Sequence, residues 1–299
     1  MKMLNMNSEL NITPLSSFLL IYFYLLEGKL NRTNNRLENV KFQSEEANTD
    51  EYIKKYFQNY ILENNHIKGS NIKSLCIDID SDQITIEIAT LKTFEIRNVY
   101  LPNELSEKLK KQISESKNSV YTSPDLYLEI HDGKDVYYES LELKSTKNNK
   151  IPGSSIQQVS PFEWVIFIKR NNENVVISTG HYINSITEKL PFPDRSPRPQ
   201  IGFKTLVDWN KENRILVNDV LCIKNRTALN ESKIRLLADW QDYLATEWLS
   251  IIKAEELPKN EKWFNNAIRK FAVKFLEYTE GLSDEEKKEL KNKLNSLIK

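Results

Sequence analysis

The fold turns on three consecutive runs: Ser123-Pro124-Asp125-Leu126-Tyr127-Leu128-Glu129-Ile130, then His131-Asp132-Gly133-Lys134, then Val136-Tyr137-Tyr138-Glu139-Ser140-Leu141-Glu142-Leu143-Lys144-Ser145. Apolar and polar residues alternate on both sides of an Asp-Gly turn, the pattern of two half-buried strands joined as a hairpin. This predicts strands over residues 125–130 and 136–145. Strand alternation puts Glu142 and Lys144 on one face and buries Leu143 on the other. Asp125 opens the first strand, so a hairpin brings it near Glu142. Two carboxylates at that range repel each other unless a cation lies between them. Mg²⁺ suits the position, since it takes one or two carboxylates and fills its other sites with water and phosphate oxygens. The Leu143 carbonyl is a further candidate ligand. Lys144 is then poised to orient or deprotonate a metal-bound water, or to stabilise a pentavalent phosphorus. These are the parts of metal-assisted phosphodiester hydrolysis.

Outward from the hairpin, periodicity predicts the neighbouring elements. Leu105, Leu109 and Ile113 form one helical stripe after Pro102. Residues 50–62 carry apolar pairs at helical spacing. Leu75, Ile77 and Ile79, then Ile84, Ile86 and Ile88, alternate around Ser81-Asp82 and predict a second hairpin. Residues 162–169 and 175–179 predict two more strands, and residues 185–204, with four prolines, a rigid loop. From residue 231 the spacing turns helical, through Ile234, Leu237, Trp240, Leu244, Trp248 and Ile251. Ser283 with Glu286 makes a capping box for a last helix. The expected fold class is therefore α/β, in the α+β sense: a central mixed β-sheet flanked by helices, with a helical C-terminal region. Residues 1–230 and 231–299 form either two domains or one packed body.

The 299 residues provide ample material for a core. With 39% hydrophobic and 28% charged residues, the chain is neither disordered nor a membrane protein. The most apolar run, Phe18 to Leu26, is too short to span a bilayer. No small-residue cleavage site follows it. It reads as a buried N-terminal helix with Thr13-Pro14 as its start signal, in a cytoplasmic protein. Cys76 and Cys222 lie far apart along the chain, which argues against a disulfide scaffold or a structural zinc site. The net charge is zero, so binding to nucleic acid must come from uneven distribution. Charge is indeed uneven. Residues 37–142 hold 12 basic and 20 acidic residues, whereas residues 143–235 hold 15 basic and 8 acidic. The sign changes at Glu142-Leu143-Lys144.

Pro124-Asp125 followed by Glu142-Leu143-Lys144 resembles the motif of the PD-(D/E)xK nuclease superfamily, and most resembles that of type II restriction endonucleases. Ser145-Thr146-Lys147 is similar to the continuation in some members that cut to blunt ends. The resemblance covers about residues 100 to 180. It implies a restriction-endonuclease-like sheet, with one helix before the hairpin and another after its second strand. Residues 102–116 fit the first. Gly153-Ser154-Ser155-Ile156-Gln157-Gln158 fits the start of the second, with Ser154 or Ser155 as cap. The resemblance further implies a Mg²⁺-dependent endonuclease acting on double-stranded DNA, with Asp125 and Glu142 as metal ligands and Lys144 assisting the water. It also implies a homodimer matched to a palindromic site and a cognate DNA methyltransferase.

Further candidates belong to the DNA surface. Arg195, Arg198, Gln200 and Lys204 lie in or beside a proline-held loop, and Arg and Gln are the residues that read guanine and adenine. Gln157 sits where it can meet a phosphate. Asn225, Arg226, Lys233 and Arg235 extend the positive segment toward phosphates. Glu104 and Glu107 are alternatives for a second metal, against a solvated helix face. Asp78, Asp80 and Asp82 open like an EF-hand but lack its glycine and its twelfth-position glutamate, so an acidic hairpin turn is the better reading. His66, His131 and His181 have no partner at metal-ligand spacing.

Overall fold

A computed structural model describes residues 12–32, 51–80, 82–117, 124–155, 160–170, 174–187, 198–225, 231, 233–234, 237, 240–255 and 262–298. The described chain groups into two compact units, one up to Leu237 and one from Trp240 on.

The first unit is built on a five-stranded mixed sheet in the order β3-β4-β5-β7-β8. Its strands are β3 (Glu95–Tyr100), β4 (Leu126–His131), β5 (Val136–Thr146), β7 (Trp164–Arg170) and β8 (Val175–His181). The predicted hairpin is present, with Leu126 opposite Leu141 and His131 opposite Val136. Gly133 turns it at φ +98°, where a side chain would be strained. β3 joins antiparallel to β4, while β5 and β7 run parallel, with Glu142 beside Val165 and Lys144 beside Phe167. The parallel pair requires a crossover, and β7 is buried on both faces, as its Trp-Val-Ile-Phe-Ile run dictates.

One face of this sheet contributes Leu128, Leu141, Leu143 and Ile166 to a large core. Helices α1 (Pro14–Arg32) and α2 (Glu51–Glu63) pack into that core. Every side chain from Phe18 to Phe23 is buried, so α1 is the buried N-terminal helix its composition predicts. Thr13 caps it by accepting the Ser16 N–H. No helix among the described residues is long and apolar enough to cross a membrane. The opposite face, with Val165 and Phe167, packs on Tyr182, Ile201, Phe203 and Leu206. These come from α4 (Tyr182–Ser185), β9 (Gln200–Gly202) and α5 (Phe203–Asn213). β9 pairs with β6 (Lys150–Pro152).

A second sheet, of four strands, has the order β10-β11-β1-β2. It joins the predicted hairpin β1 (Ser74–Ile79) and β2 (Asp82–Glu87) to β10 (Arg214–Val217) and β11 (Val220–Asn225). β1 and β11 are parallel and place Cys76 beside Cys222. The cysteines, remote along the chain, are therefore neighbours in space, both as free thiols.

Several boundaries differ from the sequence reading. Asp125 lies just before β4 rather than in it. Ile88 leaves the strand for a 3₁₀ turn at Ile88–Leu91. The helix expected from Pro102 begins with a 3₁₀ turn and becomes α3 only at Glu107–Lys117. Residues 153–155 are not helical, because Ser154 is drawn to another partner described below, and residues 156–159 lie outside the described set. The expected loop 185–204 includes part of α4, strand β9 and the start of α5, and residues 188–197 lie outside the described set.

The second unit holds α6 (Trp240–Lys253), α7 (Lys262–Glu280) and α8 (Asp284–Leu297). Arg269 of α7 donates to the terminal carbonyls of Ile251 and Ala254, satisfying the C-terminal end of α6. The predicted capping box of Ser283 and Glu286 starts α8.

Candidate functional site

Proline shapes the site first. Pro124 has no N–H to give a ladder, and the β4–β5 pairing ends at Leu126 and Leu141. Beyond that point, among the described residues, no strand pairs with the edge of β5 that the Leu143 N–H faces. Asp125 fills the gap, with Oδ2 accepting the Leu143 N–H at 2.8 Å. In a strand, the N–H and C=O of one residue leave by the same edge, so the Leu143 carbonyl lies on the Asp125 side.

Glu142 and Lys144 project from the opposite face to Leu143, toward Val165 and Phe167, and both are buried. The Lys144 ammonium donates to Glu142 Oε1 at 2.5 Å, and Ser154 Oγ donates to the same oxygen at 2.6 Å. Burial lifts the Glu142 carboxyl above the ordinary carboxylate range. The Lys144 ammonium opposes that shift, and the nearby Asp125 charge adds to it. Asp125, Glu142 and Lys144 thus converge, as their spacing predicts.

Three further side chains belong to the site: Lys54 and Tyr182, which nothing in the sequence singles out, and Ser154, expected only as a helix cap. Lys54 of α2 forms an ion pair with Asp125 Oδ1 at 2.6 Å. Its helix neighbours Ile53 and Phe57 are fully buried and fix the backbone that carries it. Ser154 is held by Tyr182, whose hydroxyl accepts the Ser154 N–H at 2.8 Å. Gly153 permits that approach, because a Cβ there would fall 2.1 Å from the Tyr182 hydroxyl. The signals available were slight: a lysine on an amphipathic helix, and one of only seven glycines.

The remaining candidates separate. Glu104 accepts from Gln58 and from the Leu101 N–H, and Glu107 pairs with Lys110, so both have structural partners. Asp80 sits in the β1–β2 turn at φ 53°, as the hairpin reading requires. Arg198 is exposed. Gln200 is not a loop residue. It lies in β9, where its side chain accepts from Thr187. Lys204 is in the first turn of α5 and pairs with Asp208. Lys233 donates to the Ile183 carbonyl, and Asn225 is buried at the end of β11. Gln157, Arg195, Arg226 and Arg235 lie outside the described residues. His181 packs on Trp164, and burial pushes its pKa down to about 4.

Among the described residues no three His, Cys, Asp or Glu side chains gather to hold a metal. Asp125 and Glu142 offer a pair, and with the Leu143 carbonyl the donors are all oxygen. That set suits Mg²⁺, which needs no more than two carboxylates and favours oxygen. A cavity of about 400 Å³ lies elsewhere, between the end of α1, residues 66–72 and β10.

No family model, no curated protein and no solved structure matches the chain.

Proposed function

We propose that the protein is a Mg²⁺-dependent endonuclease that hydrolyses phosphodiester bonds of double-stranded DNA at a short specific sequence, in the manner of a type II restriction enzyme. The observation that carries the reading is the convergence of Asp125, Glu142 and Lys144 at the end of the β4–β5 ladder. The antiparallel run β3-β4-β5 followed by parallel β7 also suits the restriction-endonuclease-like sheet that the motif implies.

In this reading Asp125, Glu142 and the Leu143 carbonyl hold the metal. Bound Mg²⁺ supplies Lewis-acid polarisation and a more acidic water. Lys144 orients that water and offsets charge on the phosphate. Ser154 keeps the Glu142 carboxylate aimed, and Tyr182 keeps Ser154 in place. Arg198, one of the residues expected at the DNA surface, is exposed and so available to meet DNA. A homodimer places two such sites across a palindrome, and a methyltransferase of matching specificity protects the host sequence.

Incubation of the full chain with plasmid DNA and Mg²⁺, followed by sequencing of fragment ends, tests this. The expected result is discrete fragments with 5′-phosphate and 3′-hydroxyl ends at one motif. Nicks or smears instead identify a repair or recombination nuclease. Salt-sensitive binding without cutting identifies a DNA-binding protein that does not cut.

A further inference from the structure

We infer that Lys54 is an exchangeable counter-cation: it neutralises Asp125 until a divalent metal and a phosphodiester arrive together, and so couples their binding. This rests on the reading of Asp125 and Glu142 as metal ligands.

Each carboxylate carries its own ammonium, Lys54 on Asp125 and Lys144 on Glu142. These four side chains sum to zero charge. Both Asp125 oxygens are engaged, one by Lys54 and the other by the Leu143 N–H. A divalent cation entering this arrangement leaves two positive charges uncompensated in a largely buried place, which is costly. A phosphodiester brings negative charge to the same point. It also gives a displaced ammonium a new partner.

The two lysines differ in freedom. The Lys144 side chain is 11% exposed and that of Lys54 is 26% exposed. Lys54 extends from a helix whose neighbouring residues are locked in the core, so its flexible stem is the part able to move. Its release from Asp125 toward a phosphate oxygen frees a ligand position and satisfies the incoming anion in one exchange. Linkage then requires that metal tighten DNA binding by the same factor as DNA tightens metal binding.

The test measures Ca²⁺ affinity of the full chain by calorimetry, with and without sonicated duplex DNA. It compares the parent protein with Lys54→Gln, Lys54→Arg and Asp125→Ala. Lys54→Gln is expected to bind Ca²⁺ alone about tenfold tighter than the parent, and to lose most of the tightening that DNA provides. Lys54→Arg, which keeps the charge, is expected to follow the parent. Equal Ca²⁺ affinity of Lys54→Gln and the parent, in a protein whose Asp125→Ala variant loses Ca²⁺, overturns the role of Lys54 alone. Absence of Ca²⁺ uptake by every variant, with or without DNA, overturns the metal-site reading and this inference with it.

Discussion

Lys144 serves Glu142 in two ways, as its charge partner and as one of its two hydrogen-bond donors. Lys144→Ala is expected to abolish cleavage while leaving DNA retention nearly intact, as read by plasmid digestion and filter binding. Retained cutting would remove Lys144 from the chemistry. The same substitution leaves a buried carboxylate without its cation, at a cost of about 3 kcal/mol. Glu142 already has a raised pKa, and loss of the ammonium raises it further. A carboxyl with a raised folded-state pKa contributes stability below its unfolded pKa, and that contribution is lost as pH rises through the folded value. The deficit of Lys144→Ala against the parent is therefore expected to be larger at pH 8 than at pH 5 in urea titrations. Gly153→Ala tests the support behind the site. The added Cβ meets the Tyr182 hydroxyl and the Pro199 carbonyl, and a cost of about 1–3 kcal/mol is expected. Adding Tyr182→Phe should recover part of that loss by removing one of the two clashes. No recovery would mean that Pro199, not Tyr182, sets the spacing. Asp125, Glu142 and Lys144 were legible because one hairpin carries all three. Lys54 and Tyr182 reach the site from other elements, and only tertiary packing reveals them.

The strand β8 lies at the edge of the five-stranded sheet, where unpaired backbone groups invite association. Helix α1 covers this edge with side chains. Asn31 donates to the Ile177 carbonyl and accepts the Ile177 N–H, while Glu27 accepts the Thr179 N–H and hydroxyl. Arg214 completes the edge by binding Glu27 and the Thr179 carbonyl. Asn31→Ala leaves both backbone groups of Ile177 without these partners and should cost about 1–3 kcal/mol. Hydrogen exchange at the Ile177 amide should accelerate with it; unchanged protection would show that the helix does not seal the edge. The buried character of α1 was plain from its apolar run, but its polar grip on β8 was not, because Glu27 and Asn31 look like ordinary surface residues at a helix end. The strands β3, β10 and β11 were also missed. In β10, Ile215, Leu216 and Val217 are all exposed, so consecutive apolar residues replace the alternation that marks a strand. Its turn uses Asn218 and Asp219, both at positive φ, in place of a glycine.

At the scale of the whole molecule, the described C-terminal helices show more apolar surface than a solvated face requires. Trp263, Phe271, Phe275, Leu276 and Tyr278 of α7 are each at least 40% exposed, and Phe271 stacks on Phe275. Surfaces of this kind mark interaction sites. The homodimer expected of the proposed enzyme provides an occupant, and sedimentation of the full chain should give twice the 35.1 kDa of one copy. Phe271→Ser with Leu276→Ser is expected to shift that mass to the monomer without lowering the melting temperature. A dimer that survives both changes must use another surface. The mixed α and β content and the helical end were legible from periodicity. The second sheet was only half legible, because its other half lies far along the chain. That separation has a consequence for how the protein is made. Strand β1 emerges from the ribosome early, yet its parallel neighbour β11 follows more than a hundred residues later, and α1 waits as long for Arg214. Loops of that length close slowly. A ribosome stalled before β11 would therefore display the open edge of β1 to any chaperone within reach.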